Sequence, residues 1–193
     1  KGQVVQMETR ALGTMGVDSG KLVGYASVFG PLSEDLGGFR ERIAPGAFNR
    51  TLKNKSDVRA LVNHDSTMVL GRRQNDTLQL SVDSTGLKVT INPPSTSYAA
   101  DLMELVKRGD VSQMSFGFIV TPGGESWGVE DGVKIRTVSD LELLEVSVVS
   151  IPAYPDTTVA VRGLGLWESD RLQQRLQNRG NRITLLQLML PGG

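Results

Sequence analysis

The feature that most constrains this chain is a rhythm of short β-prone runs cut by turn residues. Val23 to Phe29, Thr77 to Val82, Gly86 to Ile91, Met114 to Thr121, Val133 to Val138 and Leu141 to Ser150 are rich in β-branched or aromatic residues. Gly30-Pro31, Asp83-Ser84 with Gly86, and other Gly or acidic turns separate them. In the first run Val23, Tyr25, Ser27 and Phe29 share one face and Gly24, Ala26 and Val28 the other, so both faces read as partly buried. A further short run, Val58 to Asn63, delivers His64 at its end, and Ser126-Trp127-Gly128 with Glu130-Asp131-Gly132 marks a hairpin-like excursion.

Helical signals are few. Tyr98, Leu102, Leu105 and Val106 recur at helical spacing, with Pro93-Pro94 before them and Gly109 after, which predicts a helix over Ser97 to Arg108. Pro45 is expected to open a shorter one through Gly46, Ala47, Phe48, Asn49 and Arg50. Many short strands with few helices predict an α+β domain: a mainly antiparallel β-barrel, closed or nearly so, flanked by those helices. The length of 193 residues suits one main domain, read as residues 1–162. After Arg162 the composition changes: Gly163 and Gly165 permit a hinge, and Trp167, Leu172 and Leu176 lie in a Gln/Arg-rich stretch. We read 163–193 as a separate, partly helical C-terminal tail broken at Gly180.

Composition removes several function classes. Lys plus Arg and Asp plus Glu both total 21, so no general attraction to nucleic acid or an anionic membrane is expected. No apolar run approaches the roughly 20 residues of a bilayer span, and the first ten residues lack a secretory core, so a soluble protein is expected. With no Cys and a single His, disulfides, Cys nucleophiles and transition-metal sites are disfavoured, and no cofactor is expected.

Three residues could carry chemistry. His64 can accept a proton near physiological pH, but a lone His is more often a surface or satisfied core residue. Ser115, in Met114-Ser115-Phe116-Gly117-Phe118, has a small hydroxyl, and Gly117 two positions on would admit a substrate backbone. The bland reading is a serine paired across a sheet. Glu145 stands inside the apolar run Leu143-Leu144-Glu145-Val146-Ser147-Val148-Val149, where an unpaired carboxylate is costly, so it needs a partner: an imidazole, or an arginine such as Arg136. Strict alternation would put Leu143, Glu145, Ser147 and Val149 on one face and Glu142 on the other. Ser115 lacks the Gly-x-Ser-x-Gly elbow of many esterases, since Gln113 precedes it by two.

From Met7 to Arg162 the sequence resembles the prohead protease family of HK97-type tailed viruses. The likeness is carried by Leu22-Val23-Gly24-Tyr25-Ala26-Ser27-Val28-Phe29, Ile43-Ala44-Pro45-Gly46-Ala47-Phe48, Asn63-His64-Asp65, Leu70-Gly71-Arg72, Gly86-Leu87, Arg108-Gly109-Asp110-Val111-Ser112-Gln113-Met114-Ser115-Phe116-Gly117-Phe118 and Glu145-Val146-Ser147-Val148-Val149-Ser150-Ile151-Pro152-Ala153-Tyr154-Pro155. It implies a barrel like that of herpesvirus assembly proteases, and a serine endopeptidase acting in the host cytoplasm, inside the assembling prohead. The implied substrate is the scaffold segment of the major capsid protein, with self-cleavage and homo-oligomerisation left open. The family's histidine falls on His64, its serine on Ser115 and its acid best on Glu145, with Asp140 and Glu142 as neighbouring alternatives. Arg72 and Arg73 are candidates to assist the oxyanion or to serve as structural surface residues. The rival function is a non-enzymatic capsid-assembly or scaffold protein that keeps the fold without the activity.

Overall fold

A computed structural model describes residues 7–150. The expected tail 163–193, and the last residues of the expected main domain, lie outside the described residues. Eleven strands and two α-helices are described: β1 Glu8–Asp18, β2 Lys21–Val28, β3 Arg40–Ile43, α1 Asn49–Lys53, β4 Arg59–Val62, β5 Asp65–Arg72, β6 Leu78–Val82, β7 Gly86–Ile91, α2 Ser97–Arg108, β8 Gln113–Val120, β9 Glu125–Glu130, β10 Val133–Val138 and β11 Leu141–Val149. Eight form one sheet in the order β5-β4-β11-β8-β1-β2-β7-β6, and three form a small one, β3-β10-β9. Pairing is antiparallel except for β4 with β11 and β3 with β10. The large sheet curls into a nearly closed barrel, as the sequence predicted.

The outer strands β5 and β6 follow each other through a short turn that the Thr77 side chain clamps. Thr77 Oγ1 accepts from the Arg72 N–H at 2.8 Å and donates to the Arg72 carbonyl at 3.2 Å. A Cβ on Gly71 would stand 2.7 Å from the Thr77 carbonyl oxygen, so only glycine lets β5 come this close. The apolar interior is lined by Leu22, Leu78, Leu87, Val89 and Ile91 from one half and Met114, Phe116, Phe118, Val146 and Val148 from the other. Phe116 stacks on Phe118 and meets Phe48 edge-on, with centroids 5.1 and 5.6 Å apart.

α2 runs over the predicted residues, buries Ala99, Leu102 and Val106, and ends at Gly109 in the left-handed conformation. Its Tyr98 hydroxyl donates to the Val69 carbonyl of β5 at 2.7 Å. The shorter helix begins later than Pro45 suggests: residues 45–48 form turns and α1 starts at Asn49. Gly46 has φ +96°, which no α-helix accommodates. The hairpin-like excursion is β9 and β10, joined by Asp131-Gly132 with positive φ at both, as a tight two-residue hairpin requires.

Candidate active site

β4 and β5 are joined by two residues, because Val62 pairs with Asp65 and Asn63-His64 makes the turn. Both have positive φ, 48° and 61°, the signature of the hairpin turn whose second position normally takes glycine. Asn tolerates this region; His at the second position costs on the order of 1–2 kcal/mol relative to glycine. The turn is held to β11 residue by residue. The Asn63 N–H donates to the Val148 carbonyl at 2.9 Å, Asn63 Oδ1 accepts from the Ser150 N–H at 3.0 Å, and the His64 N–H donates to Ser147 Oγ at 3.2 Å.

Alternation along β11 is broken, which corrects the face assignment expected from the sequence. Leu143 pairs with Phe118 and Glu145 with Gly117, so Leu144 is an extra residue in a bulge. The bulge puts Leu143 on the interior face with Val146 and Val148, and turns Glu145 and Ser147 to the other face. Glu142, paired with Ile119, lies on the same face as Glu145 rather than the opposite one. What separates the two acids is depth. Glu142 is exposed, whereas Glu145 is only 1% exposed.

Glu145 Oε1 lies 2.8 Å from His64 Nδ1, and Oε2 accepts from the Ser147 hydroxyl. A carboxylate can only accept, so with Glu145 ionised the imidazole proton sits on Nδ1 and Nε2 carries a lone pair. Arg136, the other partner considered for Glu145, is engaged elsewhere with Glu8, Glu41 and Glu125. Asp140 is bound by Arg50 and accepts from Thr121 Oγ1 at 2.8 Å.

Ser115 stands directly across from Ser147 in the β8–β11 ladder, so the two hydroxyls share a face with the Glu145 carboxylate. Directly opposed residues have Cβ atoms about 4.5–5.5 Å apart, which sets Ser115 beside the side chain that touches His64. Ser115 is fully buried, and its Oγ and His64 Nε2 are both enclosed without a hydrogen-bond partner. Most buried polar atoms are satisfied; Ser115 Oγ and His64 Nε2 are two of four buried side-chain atoms without a partner among the described residues, and neither is bonded to the other. Ser147 already donates to Glu145; Ser115 has its hydroxyl proton uncommitted.

Gly117 has a different role from the substrate approach expected of it. A Cβ there would fall 2.5 Å from Glu145 Oε1 and 2.0 Å from Met7 Cε, so the missing side chain is the space that the carboxylate and Met7 fill. Arg72 pairs with Asp57 at 2.6 Å, and Arg73 donates to the Thr51 and Leu52 carbonyls at the end of α1. Both therefore hold the fold together. Sequence reasoning missed the parts played by Ser147 and Asn63; their signal was the i, i+2 spacing of Glu145 and Ser147, and an Asn just before the histidine. Among the described residues no group of His, Asp and Glu side chains is arranged to hold a metal ion.

A family model described as caudovirus prohead serine protease matches residues 6–170. The chain belongs to that family of bacteriophage capsid-maturation proteases. No curated protein and no solved structure matches it. Membership implies capsid protein as the general substrate and action within the assembling capsid. Among the described residues no helix is long and apolar enough to cross a membrane.

Proposed function

We propose that this chain is an active serine endopeptidase that removes scaffold segments from capsid protein, with Ser115 as nucleophile, His64 as general base and Glu145 as the acid that orients it. The observation that carries the reading is the bond of the sole histidine to a buried glutamate on the face that also bears an uncommitted serine hydroxyl.

The chemistry follows from the tautomer. His64 Nε2 takes the Ser115 proton as Oγ bonds to the scissile carbonyl carbon, and the imidazolium is stabilised by Glu145 through Nδ1–H. The proton then passes to the leaving amine as the C–N bond breaks. Water, deprotonated by the same nitrogen, releases the acyl group from Ser115. Because Ser115 is fully enclosed, a peptide reaches its hydroxyl only once the groups that cover it have moved. The barrel is then of the herpesvirus assembly protease type, and residues 163–193 recruit the enzyme or serve as a site of self-cleavage.

Incubating the chain with capsid precursor tests this. The wild type should trim the precursor, and Ser115→Ala should lower turnover by about 10³-fold or more while keeping the thermal transition. Undiminished cleavage by the variant would refute the assignment. No cleavage of any capsid precursor by the folded wild type would favour the non-enzymatic assembly role.

A further inference from the structure

Resting on the reading of Ser115, His64 and Glu145 above, we propose that Ser147 is a fourth, positioning member of the site, one that locks both the base and its acid through a single hydroxyl. Ser147 Oγ donates to Glu145 Oε2 and accepts from the His64 backbone N–H at 3.2 Å. One oxygen thus fixes the carboxylate that sets the tautomer and the left-handed residue that carries the imidazole. Ser147 is fully buried, so bulk water does not compete for these two bonds. Without the hydroxyl, Glu145 Oε2 and the backbone N–H of His64 would each lose the partner that Ser147 supplies.

The ladder explains why this position and no other can do it. Ser147 follows Glu145 by two residues after the Leu144 bulge, so both point to the same face, and it stands opposite Ser115. It is also paired in the parallel ladder with Leu61, three residues before His64. Ser147 is therefore the residue where strand β8, strand β11 and the His64 turn converge. Its own proton is directed at Glu145, which keeps it from competing with Ser115 as nucleophile.

The test compares Ser147→Thr with Ser147→Val, which have nearly the same shape and differ in the hydroxyl. Ser147→Ala, which adds no bulk, is carried alongside. We expect Val and Ala to lower kcat by about 10²-fold with KM changed by less than about 2-fold, and Thr to recover most of the loss. Because the chain holds one histidine, its Nδ1–H proton gives a single low-field NMR resonance. That resonance should be sharp in wild type and Thr, and broadened by exchange in Ala. Equal kcat in Thr and Val, or an Ala variant with wild-type kcat and resonance, would overturn the proposal. If Ser115→Ala in the same assay abolishes cleavage, such a failure concerns Ser147 alone; if it does not, the underlying triad has failed instead.

Discussion

Glu41 in β3 and Glu145 in β11 are both carboxylates removed from water, at 0% and 1% exposure, yet their partners differ in kind. Glu41 accepts from Arg10 Nε at 2.7 Å and from Arg136 Nη1 at 3.0 Å, and those guanidiniums continue to Glu8 and Glu125. Burial pushes the Glu41 carboxyl above its usual range, with Arg10 and Arg136 opposing the rise. Glu8 feels burial in the same sense, but hydrogen bonds and charge from Arg136 and Arg10 outweigh it and hold Glu8 below its usual range. Burial would lower Arg136, but Glu8, Glu125 and Glu41 keep it above the ordinary arginine value. Guanidinium does not give up its proton in proteins, so the cations of this cluster are permanent and tie β1 to the small sheet. Glu145 has instead an imidazole, the one common partner that can change charge near neutrality. A buried acid among arginines is a rivet; a buried acid on a histidine can set which ring nitrogen carries the proton.

The sharpest way to break that contrast is to disable each partner separately. Glu145→Gln replaces an acceptor by an amide that can present a donor to Nδ1, reversing the tautomer, and should lower turnover by about 10³–10⁴-fold with little effect on the urea midpoint. Arg136→Met should do the opposite. It leaves Glu8, Glu41 and Glu125 short of a cation and should cost about 3–5 kcal/mol of stability, with turnover per folded molecule retained. Loss of turnover in both at unchanged stability would erase the distinction.

Next in size is the space around the acid. Gly117→Ala forces a Cβ to within 2.5 Å of Glu145 Oε1 and 2.0 Å of Met7 Cε, so both the carboxylate and Met7 must shift. A displacement of that order should lower kcat by about 10²-fold, measurable by steady-state kinetics beside the wild type. If kcat is kept, Glu145 has freedom that its contacts do not suggest.

A smaller difference separates the carboxylates by pH. Glu8, Asp57 and Asp140 are depressed: Glu8 by the arginines that overcome burial, Asp57 chiefly by Arg72, and Asp140 chiefly by Arg50. Groups lowered in the folded chain stabilise it above their unfolded values, and this is lost as pH falls through the folded ones, below about pH 4. Glu41 has the opposite sign. Raised in the folded chain, it favours folding when protonated and withdraws that contribution as pH rises past the ordinary carboxylate range. Urea midpoints measured against pH should therefore fall less steeply on acidification in Glu8→Gln than in wild type, and more steeply in Glu41→Gln. The reverse order would show that the cluster's charges are assigned wrongly.

The sequence read most clearly where local pattern and final structure agree. The span of α2 follows from its apolar spacing and Gly109, and β10 from an uninterrupted β-prone run. β1 escaped notice because Gly13 and Gly16 interrupt it and Glu8 and Arg10 charge it. A Cβ at Gly13 would stand 1.7 Å from the Tyr25 carbonyl oxygen, so that glycine answers to the backbone of the next strand, β2, rather than to its own local pattern. β5 was hidden by its polar start, Asp65-Ser66-Thr67. In the site, residue type pointed to His64 and Glu145, because a buried carboxylate demands a partner. The Leu144 bulge could not be read, since alternation carries no mark of where it breaks. Of the two hydrogen bonds made by Ser147, the one to the His64 N–H was equally invisible, as it depends on a turn 83 residues away.

The smallest expected effect concerns the two acids beside Glu145, and it decides whether sheet face or depth selects the carboxylate proposed to orient His64. Glu142 shares the face of Glu145, but its ladder partner Ile119 lies two residues from Gly117, about 7 Å along the strand. It is exposed, where water would screen any field it exerts on the imidazole. Asp140 is spent on Arg50 and Thr121 in the turn before β11, and its side chain is about one-third exposed. Neither acid has His64 as the bonded partner; Glu145 does, at 2.8 Å. Glu142→Gln should thus leave kcat and KM within about 2-fold of wild type, and Asp140→Asn should lower the urea midpoint slightly without a change in kcat. A drop in kcat of about 10-fold or more in Glu142→Gln would mean that sharing the face is enough to reach His64, and that burial is not what distinguishes the acid that works.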